Sequence, residues 1–329
     1  MDIRNPKSLC AAADEALAVG RKPKQVILWY SGLITLMALV VMVADLILTN
    51  ELNKATGLSN LGINSILSTV QSVLPGVQMM LQMCLNLGYL YAMLRVGRKL
   101  YADKNDLKEG LHRFGPILRM FLLQFLLYMA VAMVLMYPVS MIFALSPLSN
   151  SLVELAAPLM NLDPNAWAND PVLIDQLLDA MLPLMIIYLV LYLVVMVPIS
   201  FHFRMANYLL ADHPRCGAFA ALKGSFKMMR RNCLKLLKVD LHLWWYHVLV
   251  FFVGLIAYGD WICSWLGISL PVSADATFYV FQIAYLVALF GVYYFFRNRV
   301  ELTYIMAYET LRPKEEKQNS IVLGNIFQM

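Results

Sequence analysis

All but one of the chain's 26 Lys and Arg residues fall in four short stretches, and the segments between those stretches are long and apolar. The stretches run from Arg4 to Lys24, Arg95 to Arg119, Arg204 to Lys238 and Arg297 to Lys317, and hold five, seven, eight and five cations; Lys54 alone lies elsewhere. Few folds are open to such a chain. Soluble core helices keep a polar face, and these apolar segments have none. Each is instead long enough to cross roughly 30 Å of hydrocarbon, which takes about 20 residues. In hydrocarbon the backbone has no water to bond, so a crossing segment of this kind closes its own hydrogen bonds as a helix. The balance of 60% hydrophobic to 14% charged residues agrees, since soluble chains average about 25% charged.

Six spans can be drawn: 26–49, 74–94, 120–145, 181–203, 241–258 and 276–296. The expected fold is all-α, a six-helix polytopic membrane domain over 26–296, with an amphipathic segment at 1–25 and a tail at 297–329. A signal-peptide core is about 7 to 15 residues and ends at small residues. The first run is longer and leads into Asn50-Glu51-Leu52-Asn53, so it is expected to stay as an anchor. The loops opposite the basic stretches carry Lys54 against eight acids, Glu51, Glu154, Asp163, Asp170, Asp175, Asp179, Asp260 and Asp275. By the positive-inside rule the basic side, and with it both termini, is expected to be cytoplasmic. There 25 cations meet 12 acids, so a net +13 lies behind the overall +5.

Such a face suits anionic membrane lipid, each near-surface cation being worth about 1 kcal/mol. The cations hug the ends of spans, so nucleic acid is not an expected partner. Of five cysteines only Cys263 falls on the outer side, which leaves it without a partner for an intramolecular disulfide there. Trp244, Trp245 and Tyr246 at one end of the fifth run, and Trp261 and Trp265 beyond the other, suit aromatic belts at two interfaces.

Three connections carry patterns of their own. Leu9, Ala12, Ala13 and Leu17 predict a short amphipathic helix on the inner surface before the first span. The outer loop 146–180 reads as two short amphipathic helices broken at Asp163-Pro164, with Trp167 as an interfacial anchor, either capping the bundle or acting as a lid. Over 217–238, Phe219, Leu222, Phe226, Met229 and Cys233 recur at helical spacing beside Lys223, Lys227, Arg230 and Arg231. This predicts a basic interfacial helix, its cations meeting lipid phosphates and its Phe and Met side chains entering the acyl boundary.

Inside the spans, Gln78, Gln82 and Asn86 share one helix face at i, i+4 and i+8. Amides there need partners within the bundle. They are either interhelical glue or one wall of a polar path, with Gln124 and Gln282 as partners. Asp45 lies near the outer end of its span and can snorkel or cap. His242 and His247 point to different sides of one helix, and the chain has no HExxH, GxSxG or P-loop pattern. No catalytic residue, metal ligand or cofactor is expected. Pro138 and Pro198 are expected to kink the third and fourth spans.

The run Asn207-Tyr208-Leu209-Leu210-Ala211-Asp212-His213-Pro214, followed by Gly217-Ala218, Ala221-Leu222-Lys223, Ser225, Met229 and Asp240-Leu241, resembles the bacterial membrane-protein family known as domain of unknown function 975. Asn86-Leu87-Gly88-Tyr89, leading through Arg95 to Leu107, Gly110 and Phe114, is similar to the family's earlier connection. The chain departs from the family pattern at Arg231, His242 and Trp245, where Gly, Ser and Gly are usual. The resemblance implies a bacterial integral membrane protein with this inner-surface helix, and no activity.

The expected function is therefore a non-enzymatic component of the bacterial plasma membrane that organises lipid or a membrane-protein partner. A small-solute or peptide permease, built on the second-span amides, is the alternative. A lipid-processing enzyme, resting on Asp212 and the inner histidines, comes third.

Overall fold

The structure, a computed structural model, describes residues 3, 5–19, 23–54, 61–145, 171–213, 216–267 and 274–312. They are almost wholly helical, and no strand occurs among them. Five helices are long and apolar enough to cross a membrane, at Pro23–Leu52, Ser65–Gly97, Phe114–Met141, Met185–Asp212 and Thr277–Leu311, and a bent pair makes up to six. By contact, residues Met1–Leu118 and Met205–Met329 form one compact unit and Arg119–Arg204 a second.

The first unit is built around α3 (Leu61–Gly97). From Ser65 to Gln82 α3 is largely exposed, whereas its basic half is closely packed, with Cys84, Tyr89, Ala92, Met93, Leu94 and Val96 buried. Around it lie α2 (Pro23–Lys54), a 3-10 turn (Lys104–Leu107), α4 (Lys108–His112), α7 (Ala206–Asp212) and α13 (Asn298–Leu311). The core of this unit thus sits at its basic end. The helix α3 ends in a Schellman turn, with Leu100 N–H on Arg95 O at 2.8 Å and Lys99 N–H on Val96 O at 2.9 Å, and Lys99 takes the left-handed conformation this needs (φ 60°).

The N-terminal helix α1 (Pro6–Val19) buries Leu9, Cys10, Ala12, Ala13 and Ala16, and packs on α13. The expected surface helix thus packs most of its apolar face, which is small enough to lie close against α13, and only Leu17 of that face is left half-buried. Arg299 donates to both oxygens of Asp14 at 2.8 Å along the same seam.

The fifth apolar run is not one straight helix. α9 (Cys233–His242) and α10 (Trp244–Ile256) meet at Leu243 with a 65° bend. At 1.5 Å per residue α10 is about 20 Å long, short of a full crossing on its own. Tyr304 pins both arms: its hydroxyl donates to Asp240 on α9 at 2.6 Å and lies 3.2 Å from His247 Nε2 on α10. Beyond α11 (Gly259–Trp265), α12 (Ala274–Val292) runs on through a π-helical turn at Tyr293–Arg297 into α13.

The second unit contains most of α5 (Phe114–Ala144) and α6 (Pro171–Phe203). Both helices continue unbroken through Pro138 and Pro198. α6 begins at Pro171, so Val172, Ile174, Leu177 and Leu178 open the fourth spanning helix instead of forming a separate loop helix. The first expected loop helix and Trp167 lie outside the described residues. An open groove of about 220 Å³ between α5 and α6 is lined by Tyr128, Tyr192, Met196, Val197 and Ser200.

Candidate functional site

Three constellations of polar and charged side chains stand out in the first unit. The first is centred on Asp212, whose side chain is only 3% exposed. The α7 helix ends at Asp212 and aims it at α3 and α13. Its Oδ1 accepts Arg98 Nη1 at 2.7 Å, and its Oδ2 accepts the Tyr308 hydroxyl at 2.9 Å and lies 3.2 Å from Arg312 Nη1. Arg98 also donates through Nε and Nη2 to Glu309 Oε1, at 2.8 and 2.6 Å. Burial alone would lower the Arg98 pKa; the hydrogen bonds and charges of Asp212 and Glu309 outweigh it and raise it, so the guanidinium keeps its charge. Nearby, Arg113 Nη1 caps the carbonyls of Leu210 and Ala211, both at 2.9 Å, and Arg113 Nε donates to Glu109. The group is a clamp that ties α3, α4, α7 and α13 by charge. A carboxylate held this way by two arginines is an acceptor, not a proton donor.

The second constellation surrounds Arg297. Tyr30 and Tyr89 stack with centroids 4.4 Å apart, and the Arg297 guanidinium carbon lies 4.8 Å and 5.4 Å from their rings and 4.4 Å from that of Tyr293. Asn86 Oδ1 accepts Arg297 Nη2 at 2.9 Å and the Tyr30 hydroxyl at 3.3 Å. Tyr89 in turn donates to Asn298 Oδ1 at 2.8 Å, and Asn298 Nδ2 to Pro23 O at 3.2 Å.

Of the three amides expected to share a polar face, only Asn86 is drawn into a network. Gln78 is half-buried and Gln82 exposed, and neither is brought to a hydrogen-bond partner among the described residues. One helical repeat further out, Gln71 Nε2 donates to Asp45 at 2.8 Å and to Thr49 at 3.2 Å across the α2–α3 seam. Gln282 donates to Ala257 O at 3.0 Å, which ties α12 to the end of α10.

The third constellation is the outer face of α8 (Ala218–Met229). The helix buries Ala218, Ala221, Ser225 and Met229 at helical spacing, the first three small enough to let it lie close to α7; a side chain at Gly224 would stand 3.0 Å from Leu209 Cδ1. Phe219 is 71% exposed, and Phe226, Lys223, Lys227, Arg230 and Arg231 are exposed as well. The expected apolar face is therefore split: Met229 turns inward, Leu222 and Cys233 are half-buried, and the two phenylalanines face out among the cations. The basic stretch is also two helices, since the chain turns at Arg230–Asn232 before α9, whose outward residues are Leu234, Leu237 and Leu241.

The family-like residues divide accordingly. Asp212 and Ser225 are inside, Gly217 leads into α8, Leu222 and Lys223 lie on its flank and outer face, and Pro214 lies outside the described residues. The Arg297 cage escaped the sequence reading because its three tyrosines come from separate helices. No three His, Cys, Asp or Glu side chains converge among the described residues.

Residues 24–315, most of the chain, match the model of the family described as protein of unknown function (DUF975). No curated protein matches the chain. No solved structure matches it either.

Proposed function

We propose that this chain, which belongs to the DUF975 family of unknown function, is a non-enzymatic component of the bacterial plasma membrane. Its basic face is cytoplasmic and gathers anionic lipid, presenting that lipid surface to a membrane-protein partner. The observation that carries the reading is the outer face of α8, where Phe219 and Phe226 stand exposed among Lys223, Lys227, Arg230 and Arg231.

An outward phenylalanine is unfavourable in water and favourable at an acyl boundary, where burying it is worth about 1.5 to 3 kcal/mol. The four cations add about 1 kcal/mol each against an anionic leaflet, so the charge term is comparable to the apolar one. The bend at Leu243 supports the same placement. With α10 along the membrane normal, a 65° turn lays α9 toward the membrane plane, its exposed Leu234, Leu237 and Leu241 directed at lipid. The pairing of Asp212 with Arg98 and Arg312 supports a non-enzymatic role, since two guanidinium partners keep that carboxylate ionised and an acceptor.

The test is lipid selectivity of the full chain in nanodiscs of mixed phosphatidylglycerol and phosphatidylcholine, read with spin-labelled lipids. The wild type is expected to prefer phosphatidylglycerol several-fold, and a variant with Lys223, Lys227, Arg230 and Arg231 all changed to Gln to lose most of that preference. Equal selectivity in the two proteins would falsify the reading.

A further inference from the structure

Arg297 stands where an apolar helix gives way to a charged segment. It lies in the helix Thr277–Leu311, one of those apolar enough to cross a membrane. It also ends the π-helical turn Tyr293–Arg297, and such turns recur at functional sites because the wider turn re-aims side chains. Here the guanidinium is delivered to the rings of Tyr30, Tyr89 and Tyr293 and to Asn86 Oδ1, none of which bears a negative charge. No carboxylate of a described residue pairs with it at salt-bridge distance; Glu301, four residues on, accepts the Tyr208 hydroxyl and acts on Arg297 only from further away.

The donors are also unspent. A guanidinium has five N–H groups, and among the described residues Asn86 takes only one, from Nη2. Nε and Nη1 make no hydrogen bond there, and neither is among the fully buried donor atoms left without a partner. The rings lie around the guanidinium, and Asn86 holds one of its N–H groups. The outcome is a fixed cation with N–H groups to spare at the basic end of the unit.

We infer that Arg297, oriented by Asn86 and the three tyrosines, is a receptor for a phosphate group. The group comes either from an anionic lipid headgroup or from free inorganic phosphate, and both offer the same charged oxygens to the spare N–H groups. The site stands on other helices and other residues than the face of α8, so each can fail alone.

The experiment is native mass spectrometry of the full-length protein, delipidated and returned to nanodiscs, in two arms. One arm contains phosphatidylglycerol without phosphate; the other contains phosphatidylcholine with inorganic phosphate. The wild type is expected to carry one tightly held adduct, of lipid mass in the first arm or phosphate mass in the second, and the mass names the source. Arg297→Gln should weaken it about tenfold or more, while the four-residue α8 variant keeps it. Asn86→Asp retains Arg297 but sets a carboxylate against it, so it should displace the adduct while thermal unfolding confirms that the fold is kept. Where Arg297→Gln does not fold, Asn86→Asp decides. No adduct in either arm, or wild-type retention by a folded Arg297→Gln or Asn86→Asp protein, overturns the assignment.

Discussion

Two glycines decide how closely α4 can lie on α3. A Cβ at Gly110 would run into the carbonyl of Cys84 and stand 2.8 Å from Gly88 N, and one at Gly88 would run into the backbone of Leu107. Backbone cannot yield as a side-chain tip can, so Gly110→Ala is expected to destabilise the folded protein by about 1 to 3 kcal/mol. Thermal unfolding in detergent measures this, with Gly115→Ala, where nothing lies within 4 Å, as an unaffected control. Gly88 and Gly110 both belong to the run that resembles the family, so their presence was legible while the backbone each one meets was not. The same holds at Asn86, where an amide in need of a partner could be read. Its partners, Tyr30 and Arg297, lie 56 and 211 residues away, and no local pattern announces them.

At the scale of the element, α8 shows how a correct period can still pick the wrong face. Ala218, Ala221, Ser225 and Met229 fit helical spacing as well as Phe219, Leu222, Phe226 and Met229 do. Hydrophobic weight favours the second set, because in water the larger side chains go inside. Beside a bilayer the preference reverses: small residues make the contacts between helices, and large apolar ones can face lipid. Ala221→Leu should therefore force α8 off α7 and lower the unfolding temperature, at a cost of about 1 to 3 kcal/mol. Phe219→Ala should leave that temperature nearly unchanged, because the side chain touches little of the protein. A fall of equal size in both variants would contradict this division of faces. The fifth run carries a second such lesson. Its length and aromatic ends suggested one span over 241–258; the structure adds the bend at Leu243, where Tyr304 reaches Asp240 and His247 from a distant helix.

For the whole molecule, the all-α character and the spanning helices were legible because lipid imposes a length and a composition that charge then punctuates. Sidedness is the open quantity, and impermeant thiol labelling measures it. In intact cells a protein whose only thiol is Cys263 is expected to react from outside. One whose only thiol replaces Lys227 should react only after the membrane is opened; reaction of both from the same side would refute the topology. What the sequence concealed is that the first unit is discontinuous, with residues 119–204 set between its two parts. That has a bearing on synthesis. Arg98 emerges from the ribosome 211 residues before Glu309, which at about 5 to 20 residues per second is a wait of about 10 to 40 s. Throughout that interval the Asp212 clamp lacks the residues of α13, so a chain interrupted before Glu309 leaves Arg98 without the carboxylate that takes two of its donors.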